Sequence, residues 1–311
     1  MGVTTFTYTP PKAKAFEVMS FYQKGFDTLP NTFTTRVDGS LGESSLVPRP
    51  PALSASVSVE GWCMDTMIRC RAEMAKALAA NAAAPVQETQ FAWGHTDYLT
   101  ALAAGIGWPI PPQYNSTTAG LLAAIQDRDA WPDRSYYKYK SIFLYAPLSS
   151  VGINLILDYF ASGGIFEFQS LGGKMKAFSN SAVNLRNTSQ VLIFKAVDPS
   201  GQDNETRALA MLHRTTALVE HLSLLIGQSK YKTYINFLDT DVPLFCPSWE
   251  QAYYGSSALT LACIKQKWDP SVAFQNPLQY GSLVPLSPAT GFFLTTRQCS
   301  YIINQTLAGS T

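Results

Sequence analysis

The sequence predicts an α+β domain in which a mixed or antiparallel sheet carries helices on one face. Three observations lead there. Strand-like and helix-like segments alternate along all 311 residues, the pattern of helices packed on a sheet. The run Leu53-Ser-Ala-Ser-Val-Ser-Val-Glu60 puts Ala55, Val57 and Val59 on one side and Ser54, Ser56, Ser58 and Glu60 on the other, so one face meets helices and the other meets something polar. A composition 46% apolar and 14% charged excludes disorder and supplies one sizeable core, so residues 1–311 read as a single domain.

Strands are expected where β-branched and aromatic residues concentrate: Val3–Tyr8, Thr32–Val37, Leu53–Glu60, Val86–Trp93, Tyr136–Tyr145, Ile165–Ser170, Gln190–Val197 and Lys232–Phe237. Helices are expected over Lys12–Tyr22, Met64–Ala80, Ser149–Ala161, Thr206–Ile226 and Ser257–Lys267, where apolar residues recur at three- and four-residue spacing. Two segments break the rhythm and read as long loops or lids: residues 39–51, rich in Ser, Gly and Pro, and residues 107–132, which include a Trp-Pro-Ile-Pro-Pro run.

With 23 Lys and Arg against 22 Asp and Glu, and no basic cluster, the chain lacks the electrostatic footprint of a nucleic-acid or membrane-surface binder. No stretch approaches the ~18 uninterrupted apolar residues of a spanning helix. The first residues alternate like a strand instead of forming a signal sequence. Five cysteines, Cys63, Cys70, Cys246, Cys263 and Cys299, form no framework and read as free thiols in a reducing, cytoplasmic setting. Cys63 and Cys70 fall on one expected helix about 10 Å apart, too far to bond. Four Asn-x-Ser/Thr triplets, at Asn115, Asn187, Asn204 and Asn304, are discounted on the same view of the compartment. No nucleotide loop, zinc motif or hydrolase elbow occurs. The histidines His95, His213 and His221 make no ligand set, so no metal is expected.

The C-terminal half carries Tyr234-Ile-Asn-Phe-Leu-Asp239, Trp249-Glu-Gln-Ala-Tyr-Tyr-Gly255, Leu261-Ala-Cys-Ile-Lys-Gln-Lys-Trp-Asp-Pro270 and Phe274-Gln-Asn-Pro277. In order and spacing these resemble the C-terminal signature of berberine bridge enzyme-like, FAD-linked oxidoreductases of the vanillyl-alcohol oxidase type, over about residues 231–285. Leu171-Gly-Gly-Lys-Met-Lys176 and Ser181-Ala-Val-Asn-Leu-Arg186 are similar to a Gly-Gly-x-Met segment and the His-Arg pair after it, with Leu185 at the His position. Ser257 and Thr260 stand where the family has Asn and Arg. The resemblance implies the fold of the family's substrate domain. It reaches no flavin-binding domain, so no cofactor is expected.

That combination implies a cofactor-independent isomerase or cyclase of the pericyclase type, acting on an apolar natural-product intermediate of fungal secondary metabolism. The alternative is a ligand-binding or substrate-domain subunit of a split FAD-dependent oxidoreductase, with a separate flavin-domain chain as partner. Such an isomerase needs a shaped pocket and a few groups that polarise a carbonyl or move a proton. Glu167, Glu60 and Tyr234 are the catalytic candidates. Gln169, Asn236, Trp93, Tyr139 and Phe194 are the substrate-binding ones, and the site is expected near Glu60, Glu167, Gln169, Tyr234 and Asn236 on the face opposite the helices. The two long loops, or a second copy of the chain in a two-fold dimer, are expected to close that face.

Overall fold

The computed structural model describes residues 2–25, 29–30, 32–40, 56–80, 84–97, 119–120, 123, 137–171, 188–198, 204–227, 230–246, 248–271 and 273. The strands are β1 (Gly2–Tyr8), β2 (Phe33–Ser40), β3 (Ser56–Cys63), β4 (Ala92–Asp97), β5 (Tyr137–Leu144), β6 (Ile165–Ser170) and β7 (Gln190–Val197). The helices are α1 (Ala15–Gly25), α2 (Met67–Ala79), α3 (Ser150–Ala161), α4 (Glu205–Ile226) and the shorter α5 (Val242–Phe245), α6 (Trp249–Tyr254) and α7 (Ala258–Trp268). One sheet of order β4-β1-β3-β2-β6-β7-β5 joins the strands, every neighbouring pair antiparallel.

Period-two alternation decides which side chains the helices cover. Phe6, Val37, Val59, Phe166, Phe168, Leu192 and Phe194 share one face, each at most 1% exposed. They pack against Val18 and Met19 of α1, Ile153 and Ile156 of α3, and Leu218, Val219 and Leu222 of α4. Helices α3 and α4 begin at side-chain caps: Ser149 Oγ accepts from the Gly152 amide, and Asn204 Oδ1 accepts from the Arg207 amide. Gly163 (φ 97°) and Gly227 (φ 86°) turn the chain out of α3 and α4 in the left-handed region open to glycine. Gly39 is required for space instead: a Cβ there would sit 2.2 Å from the Phe166 ring across the β2/β6 pair.

The outer edge of β5 is closed by a single passage of chain, residues 231–246, that grips both faces of the strand. On the face away from the helices, Ser141 Oγ accepts from the Tyr234 amide at 2.9 Å, and Tyr139 stacks on Phe237 with centroids 4.9 Å apart. On the helix face, Lys140 Nζ lies 2.6 Å from both Asp239 Oδ2 and Asp241 Oδ2. Lys138 Nζ lies 2.7 Å from Asp239 Oδ1, and Thr216 of α4 donates to Asp241. An ammonium group only 1% exposed survives there because two carboxylates share it.

Three expectations need correction. Lys232–Phe237 forms no strand: the chain turns at Phe237, whose amide donates to the Tyr234 carbonyl, in order to pass round the edge toward Asp239. The fourth strand runs over 92–97 and not 86–93, because Glu88–Gln90 closes a 3-10 turn in front of it. Cys63 and Cys70 are not on one helix. Cys63 ends β3 and Cys70 lies in the first turns of α2, so the reversal between them brings their Cα atoms to 6.0 Å and they form a disulfide. Cys263 is also disulfide-bonded, whereas Cys246 is a buried free thiol, so the reading of five free thiols fails for three of them. Of the two expected loops, residues 41–51 and all of 107–132 except 119, 120 and 123 lie outside the described residues.

Replacing Cys63 and Cys70 together by alanine should lower unfolding stability by about 2–3 kcal/mol, the chain-entropy value for so short a loop. Denaturant titration of the double variant beside the oxidised parent measures it, and thiol labelling of the unfolded parent confirms the bond.

Candidate functional site

Three expected polar candidates converge on the face opposite the helices, and register explains why. Pairing lines up Thr7, Glu60, Arg36, Gln169, Val191 and Phe143 in one row across β1, β3, β2, β6, β7 and β5. The adjacent row holds Ser58, Asp38, Glu167, Ile193 and Ser141. Cross-strand neighbours on one face stand about 5 Å apart, so the middle of the two rows is a compact group of four charged or ionisable side chains and one amide.

Arg36 organises the group. Its Nη2 and Nε lie 2.5 and 2.6 Å from Glu60 Oε1, its Nε lies 2.9 Å from Asp38 Oδ2, and its Nη1 lies 3.6 Å from Glu167 Oε1. Gln169 Nε2 donates to Glu167 Oε1 at 2.5 Å. These side chains are 19–30% exposed, so they are partly desolvated but reachable.

One guanidinium cannot neutralise three carboxylates in such a setting, and the group resolves this by holding a proton. Burial, the hydrogen bond to Glu60 and the charge of Glu167 push the Asp38 carboxyl up to about 9, overriding Arg36. Burial also opposes ionisation of Glu60, but the hydrogen bond from Asp38 and the Arg36 charge outweigh it and hold Glu60 below its ordinary value. The Asp38–Glu60 pair therefore holds one proton at neutral pH, with Asp38 the favoured carrier.

An apolar wall adjoins this group. Phe143, Val191 and Ile193 stand on the same face, with Tyr139, Leu171, Tyr234 and Phe237 packed against them. Tyr234 meets Phe143 and Phe237 edge to face, with centroids 6.0 and 5.4 Å apart. Asn236 Nδ2 donates to Tyr234 Oη at 2.9 Å, and Lys195 Nζ sits 5.8 Å from the centre of the Tyr139 ring.

The site candidates thus fall into three places. Glu60, Glu167 and Gln169 are together; Tyr139, Tyr234 and Asn236 form the neighbouring wall. Trp93 and Phe194 belong to the opposite face and correct the expectation. Phe194 is fully buried against Tyr159, and Trp93 packs on Phe6 and Phe91. The expectation passed over Arg36 and Asp38, although their two-residue spacing on a strand was the signal for one shared face.

Comparison with known proteins gives this geometry its context. Residues 233–279 match the family model "Berberine and berberine like". This part of the chain is similar to the berberine-bridge-type C-terminal segment. The chain is 24% identical to berberine bridge enzyme-like 23 of Arabidopsis thaliana over 173 residues, half of this chain and 31% of that protein. Among solved structures it is similar to BBE-like 1 of Physcomitrella patens, with 20% identity and TM-score 0.67, covering 90% of this chain and 54% of that one. It is likewise similar to a berberine bridge enzyme variant in complex with (S)-reticuline, with 16% identity and TM-score 0.69, covering 90% of this chain and 55% of that one. The chain therefore spans about a third to a half of these relatives' lengths, and the solved structures establish the fold: helices on an antiparallel sheet, as in the berberine-bridge-type substrate domain.

A flavin, the cofactor implied by the resemblance, does not fit the described residues at its diphosphate. The positive-φ glycines Gly163, Gly227 and Gly255 all sit at helix ends, where they form no phosphate cradle.

The pH dependence of stability follows from the Asp38–Glu60 pair. A carboxyl raised on folding contributes stability that is complete below its unfolded value near 4 and is lost as pH rises toward about 9. Lowered Glu60 does the reverse, its contribution fading as pH falls below the ordinary carboxylate range. Asp38→Asn should therefore flatten a decline that, for one group, approaches ~1.4 kcal/mol per pH unit between about pH 5 and 8. Urea midpoints of parent and variant across that range provide the comparison.

Proposed function

We propose that this chain is a cofactor-independent isomerase or cyclase that binds an apolar, ring-bearing small molecule on the sheet face opposite the helices. The observation that carries the proposal is three carboxyl groups, Asp38, Glu60 and Glu167, gathered on Arg36 beside an aromatic wall, with the pKa of Asp38 pushed up and that of Glu60 held down. An acid still protonated at neutral pH and a base a few ångströms away are what a proton-in, proton-out rearrangement requires. In this mechanism the substrate lies over Phe143, Val191 and Ile193, with Tyr139, Tyr234 and Phe237 closing one side. Asp38 gives its proton to a developing oxyanion of the substrate. The carboxylate of Glu60 or Glu167 takes a proton from another atom of the same molecule, and Arg36 and Gln169 keep those carboxylates in position. No electron carrier enters, and the net change is a rearranged bond set. Preorganisation of a reactive conformer on the wall supplies the remaining acceleration.

A second reading is a substrate-domain subunit of a split FAD-dependent oxidoreductase, supported by the similarity of the fold to the berberine-bridge-type substrate domain. The similar berberine bridge enzyme variant was solved in complex with (S)-reticuline, which is compatible with either reading. Colour separates the two. The isomerase reading expects a colourless preparation without flavin absorbance, and a yellow preparation with a stoichiometric second chain would support the split enzyme.

Activity tests the site itself. When the metabolite that accumulates on deletion of the gene is supplied, the purified chain should convert it. Asp38→Asn should lower turnover by roughly 10²–10⁴-fold, the usual worth of a general acid. Glu167→Gln and Glu60→Gln, each checked for retained fold, identify the proton acceptor. Unchanged turnover in all three would leave a pocket that works by shape alone.

A further inference from the structure

The cysteines reopen a question that composition had closed. Cys63, Cys70 and Cys263 are disulfide-bonded, and such bonds form and persist in oxidising compartments such as the lumen of the endoplasmic reticulum. A chain folding there meets the machinery that modifies Asn-x-Ser/Thr triplets. Of the four triplets in the sequence, Asn204-Glu205-Thr206 is the one whose three residues are all described, and all three are exposed.

The two ends of the Asn204 side chain do different work. Asn204 is the N-cap of α4: its Oδ1 accepts from the Arg207 amide at 3.1 Å, while its own backbone amide donates to Asp198 Oδ2 at 2.8 Å. The side-chain nitrogen Nδ2 makes no hydrogen bond to any described residue. A sugar joined at Nδ2 leaves the amide carbonyl in place, so the cap survives the modification. The triplet is thus exposed and held at a fixed corner, and its acceptor atom is not used by the fold.

We infer that Asn204 is an N-glycosylation site. The donor class is a polyprenyl-diphosphate-linked oligosaccharide. The bond between the sugar C1 and the diphosphate oxygen breaks, a bond from C1 to Asn204 Nδ2 forms, the polyprenyl diphosphate leaves, and one Nδ2 proton passes to solvent. The oxidation states of the protein and the sugar do not change. The inference is independent of the isomerase reading.

The test is site-specific mass spectrometry on the chain produced through a eukaryotic secretory pathway, with free thiols blocked at harvest. The Asn204 peptide should carry a glycan. Peptide N-glycosidase in heavy-oxygen water should release the glycan and leave a labelled Asp at that position, whatever happens at the other three triplets. Thr206→Ala should abolish the label while keeping the Asn204 cap and the parent's circular dichroism. Asn204→Asp keeps a capping oxygen and should remove the glycan without loss of folded protein. An unmodified Asn204 in protein whose Cys63–Cys70 bond has formed would overturn the inference, as would recovery of that pair as free thiols or a label that persists in Thr206→Ala.

Discussion

The arrangement of charge in this protein follows from one constraint: in an antiparallel sheet every second residue points to a face, and one of the two faces is already filled by helices. Ionic groups on the helix side must be completely paired, and Lys140, with Asp239 and Asp241 each 2.6 Å away, is the case in point. Ionic groups on the other side keep partial access to water and need only partial pairing. There Arg36 meets three carboxyl groups, and the excess negative charge is relieved by protonating Asp38. The same strand geometry thus produces a closed structural ion cluster on one face and a titratable one on the other.

The two clusters are connected through β5. Lys138 and Lys140 face the helices while Tyr139, Ser141 and Phe143 face the site, and the passage 231–246 engages both sets. Burial favours the neutral form of Lys138, but the hydrogen bond and charges of Asp239 and Asp241 leave its pKa above the ordinary value. Those same ammonium groups hold Asp241 below the ordinary carboxylate range against its own burial. Lys138 and Asp241 are therefore charged throughout the neutral range. The ion cluster fixes Asp239 only two residues beyond Phe237, so the aromatic wall rests on an anchor that lies on the opposite side of the sheet.

How far the sequence could be read depended on whether its alternation was clean. Ile165-Phe-Glu-Phe-Gln169 alternates strictly, and it correctly separates Glu167 and Gln169 from Phe166 and Phe168. Gln190–Val197 is apolar on both sides, so its pattern assigns no face, and Phe194 was placed with the substrate when it belongs to the core. Ending the second strand at Val37 cut off Asp38 and left its shared face with Arg36 unread. Lys232–Phe237 has the composition of a strand, yet the buried partners of Asp239 pull the chain round the sheet edge before a ladder can form. That requirement comes from residues about 100 positions away and has no local signature.

The disulfide was lost to a related error. Extending α2 back to Met64 placed Cys63 beside the start of a helix that also holds Cys70, and seven residues of helix separate two thiols beyond bonding distance. In the structure Met64–Thr66 form the turn between strand and helix, and the Met64 amide donates to the Thr32 carbonyl. Three residues moved from helix to turn change the Cys63 to Cys70 path from a rise along an axis into a reversal. The inferred compartment changes with it, and so does the meaning of Asn204. A boundary error of ordinary size thus altered a conclusion about chemistry, because a disulfide depends on the direction of two Cβ bonds and not on the class of the elements that carry them.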